Sequence, residues 1–250
     1  MTIKNAMILA AGIGSRMRPL TLSTPKPLLK IGDKNLLERA INLLILHGVK
    51  KLVINTHYLS EKIEKFVHNQ NFKIKIKISN ESKELLDTGG GILNGTKEFE
   101  DEPFFVLNPD TLWSTPYLKE IQNLEKLFYE KNKASLLLVD KNLSEDKSFQ
   151  GDFNLEKNSL IKRDKENKFI FTGLQVLKRN NFSEFENNRI FSMNKVWDKL
   201  ILSKNLVGLQ SKIKFFHLNK KKSYDSIKNI QIIDKIKFFL IYLYRDNNTF

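Results

Sequence analysis

The first 140 residues alternate between apolar runs of strand length and amphipathic runs of helix length. The apolar runs and one period-two alternation predict strands at residues 6–11, 51–56, 73–79, 103–108 and 134–140. The amphipathic runs predict helices at residues 35–48, 59–69 and 116–131, with a short helix after the glycines of GGGILNG. Such alternation predicts a three-layer α/β/α fold in which helices cover both faces of a mostly parallel sheet.

The pattern changes after Asp140. The short runs FQGDFNLE, SLIKRD, KFIFTG and LQVLK predict hairpins. MNKVWDKLILSKN predicts a helix, KIKFFHL a strand, and residues 226–245 a long terminal helix. Because the chain has neither an internal repeat nor a flexible linker, we expect one domain spanning residues 1–250. Within it, we expect three consecutive parts, residues 1–140, 141–225 and 226–250, of which the last is a C-terminal helix.

Composition narrows the chemistry. The 250 residues include no cysteine and only four scattered histidines, which excludes disulfides and thiolate chemistry and argues against a zinc site. No apolar run reaches the roughly 18 residues of a membrane span, and the N-terminus lacks a signal-peptide layout, so we expect a cytoplasmic protein. The net charge of +14 comes from lysines spread along the chain. This favours a solvated surface over a nucleic-acid-binding face.

The segment LAAGIGSRMRPLT follows the first predicted strand. Gly12 and Gly14 allow a sharp turn whose N–H groups can point at a phosphate, and Arg16 supplies a planar fork suited to phosphate oxygens. Arg18 has two open interpretations, a phosphate contact or a charge that braces the loop. TPKPLL then holds Lys26 between two prolines. The segment matches neither a Walker loop nor the dinucleotide fingerprint.

A carboxylate follows another predicted strand, since Asp110 comes just after residues 103–108. Ligands of parallel sheets bind beyond the carboxyl ends of the strands, so we expect Asp110 to lie on the same edge as the glycine-rich segment. In that position we expect Asp110 to be an oxygen ligand for magnesium. An Asx-type turn within NPDT is the alternative.

Together, AAGIGSRMRPLT and TPKPLL closely resemble the signature of the sugar-1-phosphate nucleotidyltransferases, the nucleotide-sugar pyrophosphorylases. LLDTGGGI, LNPD, QGDF and FTGLQVL follow in the order of the short bacterial members. The triple glycine and GDF most resemble N-acetylmuramate-1-phosphate uridylyltransferases, a cell-wall recycling branch. Mannose-1-phosphate guanylyltransferases are a close rival.

The resemblance implies a Rossmann-like nucleotidyltransferase fold with a small β-rich sugar-binding subregion. Residues 1–140 would then be the nucleotide-binding half and residues 141–225 the sugar-phosphate-binding half. It implies Mg²⁺-dependent transfer of a nucleotidyl group from UTP to a sugar-1-phosphate, giving a UDP-sugar and pyrophosphate. The partners would be these small molecules, not nucleic acid or a membrane, with the protein a monomer or homodimer.

The resemblance also implies site residues. The nucleotide-binding residues would be Ala10, Ala11, Gly12, Gly14, Ser15, Arg16, Lys26, Glu84, Thr88 and Gly89, with Glu81 as the alternative to Glu84. The sugar-phosphate-binding residues would be Asn108, Gly151, Asp152, Asn154 and Gly173, with a hairpin-turn role as the alternative for Asp152. The catalytic residues would be Arg16, Lys26 and Asp110, and the metal ligands Asp110 and Asp225.

Two departures from the family pattern bear on activity. Pro109 stands where relatives usually have glycine before the aspartate. Asp225 is the best match to a D-x-G-T aspartate, but Ile227 and Lys228 replace the glycine and threonine. A helix N-cap is therefore the alternative for Asp225. A non-catalytic nucleotide-sugar-binding protein is the alternative function of a different class.

Overall fold

The computed structural model describes residues 2–228. The strands are β1 (Asn5–Leu9), β2 (Lys30–Ile31), β3 (Lys34–Asn35), β4 (Lys51–Thr56), β5 (Lys75–Asn80), β6 (Phe104–Leu107), β7 (Ala134–Asp140), β8 (Asn154–Leu155), β9 (Ile161–Lys162), β10 (Phe169–Leu177) and β11 (Leu206–Ser211). The α-helices are α1 (Leu36–His47), α2 (Ser60–Asn69), α3 (Asp87–Gly95), α4 (Tyr117–Lys131), α5 (Met193–Leu202) and α6 (Lys221–Ile227).

Seven strands form the central sheet in the order β11-β7-β10-β6-β1-β4-β5. The pairs β1–β4, β1–β6, β4–β5 and β7–β11 are parallel, whereas β10 runs antiparallel to both β6 and β7. The predicted mostly parallel α/β fold is therefore confirmed. Two-stranded ribbons, β2–β3 and β8–β9, lie beside the sheet.

Both faces of the sheet are buried because successive strand side chains point to opposite faces. In β1, Ala6 and Ile8 pack into the core that contains residues of α1, α2 and α4. Met7, between them, packs into the core that contains residues of α3 and α5. This two-sided burial explains why β1 and β6 are continuous apolar runs.

Two predictions from the second half of the chain are wrong. Residues 212–218 were expected to form a strand, but Leu206–Ser211 forms β11 and the later segment makes only isolated bridges. KFIFTG and LQVLK, expected as separate short runs, belong to one strand, β10, whose register shifts between Phe171 and Gln175. Gly173, at φ +91°, lies inside this irregularity and allows the strand to continue through it.

The predicted terminal helix at residues 226–245 lies almost wholly outside the described residues. Among residues 2–228, no helix is both long and apolar enough to span a bilayer.

Candidate functional site

The glycine-rich segment folds as a turn at the carboxyl end of β1. Gly14 has a φ of +69°, and its carbonyl accepts hydrogen bonds from Met17 N at 2.9 Å and Thr21 Oγ1 at 2.9 Å. Met17 is fully buried and anchors the turn, whereas Gly12 and Arg16 are exposed at its rim. Met17 therefore fixes the turn from inside the protein, while the backbone of Gly12 and the guanidinium of Arg16 are exposed.

Lys26 and Asp110 meet across this turn. The Nζ of Lys26 lies 2.6 Å from Oδ2 of Asp110, and Nε2 of His217 lies 3.0 Å from the same oxygen. Burial by itself raises the pKa of Asp110, but Lys26 and His217 outweigh it and hold that pKa well below its usual range. Asp110 is therefore an anion throughout the neutral pH range.

Backbone hydrogen bonds bring the far end of the described chain to Asp110. Asn108 N donates to Gly173 O at 2.8 Å, and Trp113 Nε1 donates to Asn108 O at 2.8 Å. Leu218 N donates to Asp110 O at 2.8 Å, which places Asn219 beside the aspartate. The missing side chain of Gly173 is required here, because a Cβ would lie 2.9 Å from that of Asn108.

Two oxygens in this cluster are buried without a hydrogen-bond partner among the described residues, Oδ1 of Asp110 and Oδ1 of Asn219. Buried polar atoms are normally paired, so two orphaned oxygens lining one cavity indicate a ligand. Hard oxygen donors of this kind suit a magnesium ion that keeps waters or substrate oxygens as its other ligands. Within residues 2–228, no cluster of three or more histidine, cysteine or acidic side chains forms a metal site of the all-protein kind.

The opposite wall is built on Asn55 and Glu81, which are each 3% exposed. Asn55 Oδ1 accepts a hydrogen bond from Ala10 N, and Asn55 Nδ2 donates one to Glu81 Oε1. Glu81 Oε2 also accepts a hydrogen bond from Leu86 N. Sequence reasoning did not identify Asn55, because an asparagine near the end of a strand carries no distinctive signal.

These groups enclose a cavity of about 320 Å³, called here the rim cavity. Its lining residues are Leu9, Ala10, Ala11, Gly12, Gly14, Ser15, Arg16, Met17, Lys26, Pro27, Asn55, Glu81, Leu85, Asp87, Thr88, Asn108, Pro109, Asp110 and Asn219. Ten of the predicted site residues are among them: Ala10, Ala11, Gly12, Gly14, Ser15, Arg16, Lys26, Thr88, Asn108 and Asp110.

Two predicted nucleotide-binding residues do not line the rim cavity. Glu84 faces a second, outer cavity, where it pairs with Arg189 at 2.7 Å, and Glu81 occupies the inner position. Gly89 is buried against Phe191, whose carbonyl accepts hydrogen bonds from the N–H groups of Gly89 and Gly90. The N–H groups of Gly89 and Gly90 are thus occupied within the protein.

Four predicted sugar-binding residues also lie outside the lining of the rim cavity: Gly151, Asp152, Asn154 and Gly173. The Asn154 side chain braces the β8–β9 ribbon through Asp164 and Lys168. Asp152 accepts from Phe171 N at 2.8 Å. A Cβ on Gly151 would lie 2.4 Å from Asn167 O. These positions hold the ribbon against β10.

Asp225, the predicted second metal ligand, lies on α6, and its carboxylate pairs with Lys221 at 2.6 Å and Lys228 at 2.8 Å. It does not line the rim cavity, whereas Asn219 does. The local sequence offered one signal for Asn219, a polar residue directly after the apolar Leu218 and before the lysine run.

Comparison with known proteins identifies the family of this chain. The model of the nucleotidyl transferase family matches residues 5–149, which is more than half of the chain. N-acetylmuramate alpha-1-phosphate uridylyltransferase of Caulobacter vibrioides is 38% identical over 113 residues, which are 44% of this chain and 47% of that protein. The mannose-1-phosphate guanylyltransferase catalytic subunit beta of Danio rerio is 38% identical over 115 residues, which are 45% of this chain and 32% of that protein. The matched stretch thus spans half or less of these relatives.

Solved structures share the fold over nearly the whole length. UDP-glucose pyrophosphorylase complexed with UDP-glucose superposes with a TM-score of 0.76 at 20% identity, covering 91% of this chain and 97% of that one. UDP-glucose pyrophosphorylase from Acinetobacter baumanii gives a TM-score of 0.78 at 15% identity, covering 97% and 100%. With the family model spanning β1 to β7 and the resemblance of the glycine-rich segment confirmed, the chain belongs to the nucleotidyl transferase family.

Proposed function

We propose that the protein transfers a nucleotidyl group from a nucleoside triphosphate to a sugar-1-phosphate, releasing pyrophosphate. The observation that carries this proposal is the rim cavity itself, in which the Lys26–Asp110 pair faces the glycine turn. Family membership supports the same reaction class.

In this reaction a phosphate oxygen of the sugar-1-phosphate attacks the α-phosphorus, and the bond from that phosphorus to the pyrophosphate oxygen breaks. The nucleophile is already an anion near neutral pH, so alignment and charge neutralisation, not a general base, are required. Gly12, Ser15 and Arg16 offer donors to the departing phosphates. Lys26, fixed by Asp110, lies where it can oppose charge on the reacting phosphate.

The two orphaned oxygens fit a divalent metal, which we propose is Mg²⁺ held by Asp110 Oδ1 and Asn219 Oδ1. A metal bound there would supply positive charge that offsets the negative charge of the phosphates. The proposal replaces Asp225 with Asn219 in the expected ligand pair. Because the Asn219 amide is neutral, the two proposed ligands together carry one negative charge, that of Asp110.

For the substrates we propose UTP and N-acetylmuramate α-1-phosphate, because the triple glycine and the Caulobacter relative both favour this pair. GTP with mannose-1-phosphate is the second candidate, supported by relatives of equal identity such as the Danio rerio protein.

A matrix of four nucleoside triphosphates against several sugar-1-phosphates tests the proposal, with pyrophosphate release as the readout and Mg²⁺ or EDTA present. We expect one preferred pair, activity only with metal, and loss of activity in Asp110→Asn. Nucleotide or nucleotide-sugar binding without turnover for any pair would instead support the non-catalytic alternative and contradict the proposed reaction.

A further inference from the structure

Asn55 and Glu81 are buried polar side chains that the proposed reaction does not use. Asn55 lies one residue before the end of β4, and Glu81 follows β5 directly. Burial raises the pKa of Glu81, which its hydrogen bonds with Asn55 and Leu86 oppose. A buried carboxylate is costly unless it is hydrogen-bonded, so its partners define what it does.

The hydrogen bonds run in one direction. Ala10 N donates to Asn55 Oδ1 at 2.8 Å, and Asn55 Nδ2 donates to Glu81 Oε1 at 2.8 Å. Leu86 N donates to Glu81 Oε2 at 3.2 Å. Because the backbone N–H of Ala10 can only donate, the atom of Asn55 that faces it is the oxygen. The amide nitrogen therefore faces the carboxylate.

This chain of bonds joins two segments that line the rim cavity. Ala10 lies just before the glycine turn, and Leu86 lies just before Asp87 and Thr88, which also line the cavity. The relay also sets how near α3 can come, since a Cβ on Gly91 would lie 2.9 Å from both Asn55 Nδ2 and Glu81 Oε1.

We propose that Asn55 and Glu81 form a positioning relay that sets the separation between the glycine turn and the 81–88 wall, and so the affinity for the nucleoside part of the nucleotide. The inference rests on the proposed function for the identity of the ligand. Each carboxylate oxygen of Glu81 accepts a hydrogen bond from within the protein, which ties Glu81 to Asn55 and to the 81–88 wall.

Exchanging the two functional groups provides the test. In Glu81→Gln, one hydrogen of the new amide faces either Asn55 Nδ2 or Leu86 N, so one hydrogen bond is lost. In Asn55→Asp, two buried carboxylates face each other. The double variant Asn55→Asp/Glu81→Gln restores every bond with the middle one reversed, because the new amide donates to the new carboxylate and its oxygen accepts from Leu86 N.

We expect each single variant to bind UTP and GTP about tenfold or more weakly, as for a buried group left unpaired, and the double variant to bind within threefold of the unsubstituted protein. Equilibrium calorimetry with the intact chain measures this without turnover. In kinetics, the single variants should raise KM for the triphosphate tenfold while kcat changes less than threefold.

A matched control is the exposed pair in which Asn80 Nδ2 donates to Glu64 Oε1 at 2.9 Å. Glu64→Gln should leave binding and KM within twofold of the unsubstituted protein. Because this pair is exposed, Glu64→Gln tests whether the loss of any Asn–Glu hydrogen bond has the same effect.

Several outcomes would overturn the relay. These are a double variant that binds as weakly as the singles or does not fold, a change of base preference in Glu81→Gln that the second substitution fails to reverse, or no nucleotide binding by the unsubstituted protein. Single variants that fail to fold beside a double variant of normal affinity would support it. Normal binding without turnover for any substrate pair would instead remove the proposed reaction and leave the relay standing.

Discussion

On one side of the rim cavity, the side-chain oxygens of Asn55 and Glu81 all accept hydrogen bonds from within the protein, whereas across from them Asp110 and Asn219 each present a buried oxygen that has no partner among the described residues. The first side is a closed scaffold, and the second is a surface arranged for something that the protein does not itself supply. Buried polar atoms that are paired within the protein hold its structure, whereas unpaired ones are available to a ligand. Substitutions on the two sides should therefore have different kinds of effect.

The largest effect is expected from Lys26→Met, on the side of the rim cavity that carries Asp110 and Asn219. We expect kcat for pyrophosphate release to fall roughly 100- to 1000-fold, since removing one donor to developing charge has this effect in other enzymes. Lys77→Met is the matched control, because Lys77 also pairs with a carboxylate, Glu98, but on the exposed surface. Equal losses in both variants would show that the Lys26–Asp110 pair has no special role.

Asn219 should control metal affinity. We expect Asn219→Ala to weaken Mn²⁺ binding about tenfold and Asn219→Asp to strengthen it about tenfold, because a carboxylate adds a negative charge to the ligand set. Electron paramagnetic resonance of Mn²⁺ measures free ion directly. Asp225→Asn should change affinity less than twofold, since Asp225 pairs with Lys221 and Lys228 instead. A tenfold loss in that variant would restore Asp225 as the ligand.

The two glycines of the turn should separate folding from binding. Gly14→Ala should lower the free energy of unfolding by about 1–2 kcal/mol, because Gly14 has a φ of +69° and the new Cβ would lie 3.1 Å from Thr21 Cγ2. Gly12→Ala should change stability by less than about 0.5 kcal/mol, since a Cβ there meets no atom within 4 Å.

Urea unfolding and nucleotide binding, measured on both glycine variants, give the comparison. We expect Gly12→Ala to weaken nucleotide binding while stability holds, because its side chain would enter the rim cavity. Unchanged binding in Gly12→Ala would show that the ligand does not approach this backbone.

The smallest effect is expected from Glu84→Gln. Glu84 pairs with Arg189, whose side chain is 74% exposed, and such surface pairs contribute about 0–1 kcal/mol. We expect KM for the triphosphate to stay within twofold, in contrast to Glu81→Gln. Steady-state kinetics on the two variants checks this, and a tenfold change at Glu84 would reverse our assignment of the inner and outer glutamates.

The sequence predicted those parts of the site that depend on local pattern. β1 and β6 were found as apolar runs, and Asp110 was placed correctly on the edge that carries the glycine turn because it follows a strand. Asn219 was missed because its position depends on the hydrogen bond from Leu218 N to Asp110 O, which joins residues over 100 positions apart. Glu81 and Glu84 could not be separated, since only the packing of Asn55 decides which carboxylate faces inward.

The bond between Leu218 and Asp110 has a consequence for biosynthesis. The glycine turn, Lys26 and Asp110 all belong to the first half of the chain, but Asn219 leaves the ribosome after about another hundred residues have been translated. A nascent chain can therefore assemble the phosphate-facing turn well before the second orphaned oxygen arrives. Among the described residues, the order of synthesis makes the proposed metal position the last part of the rim cavity to be completed.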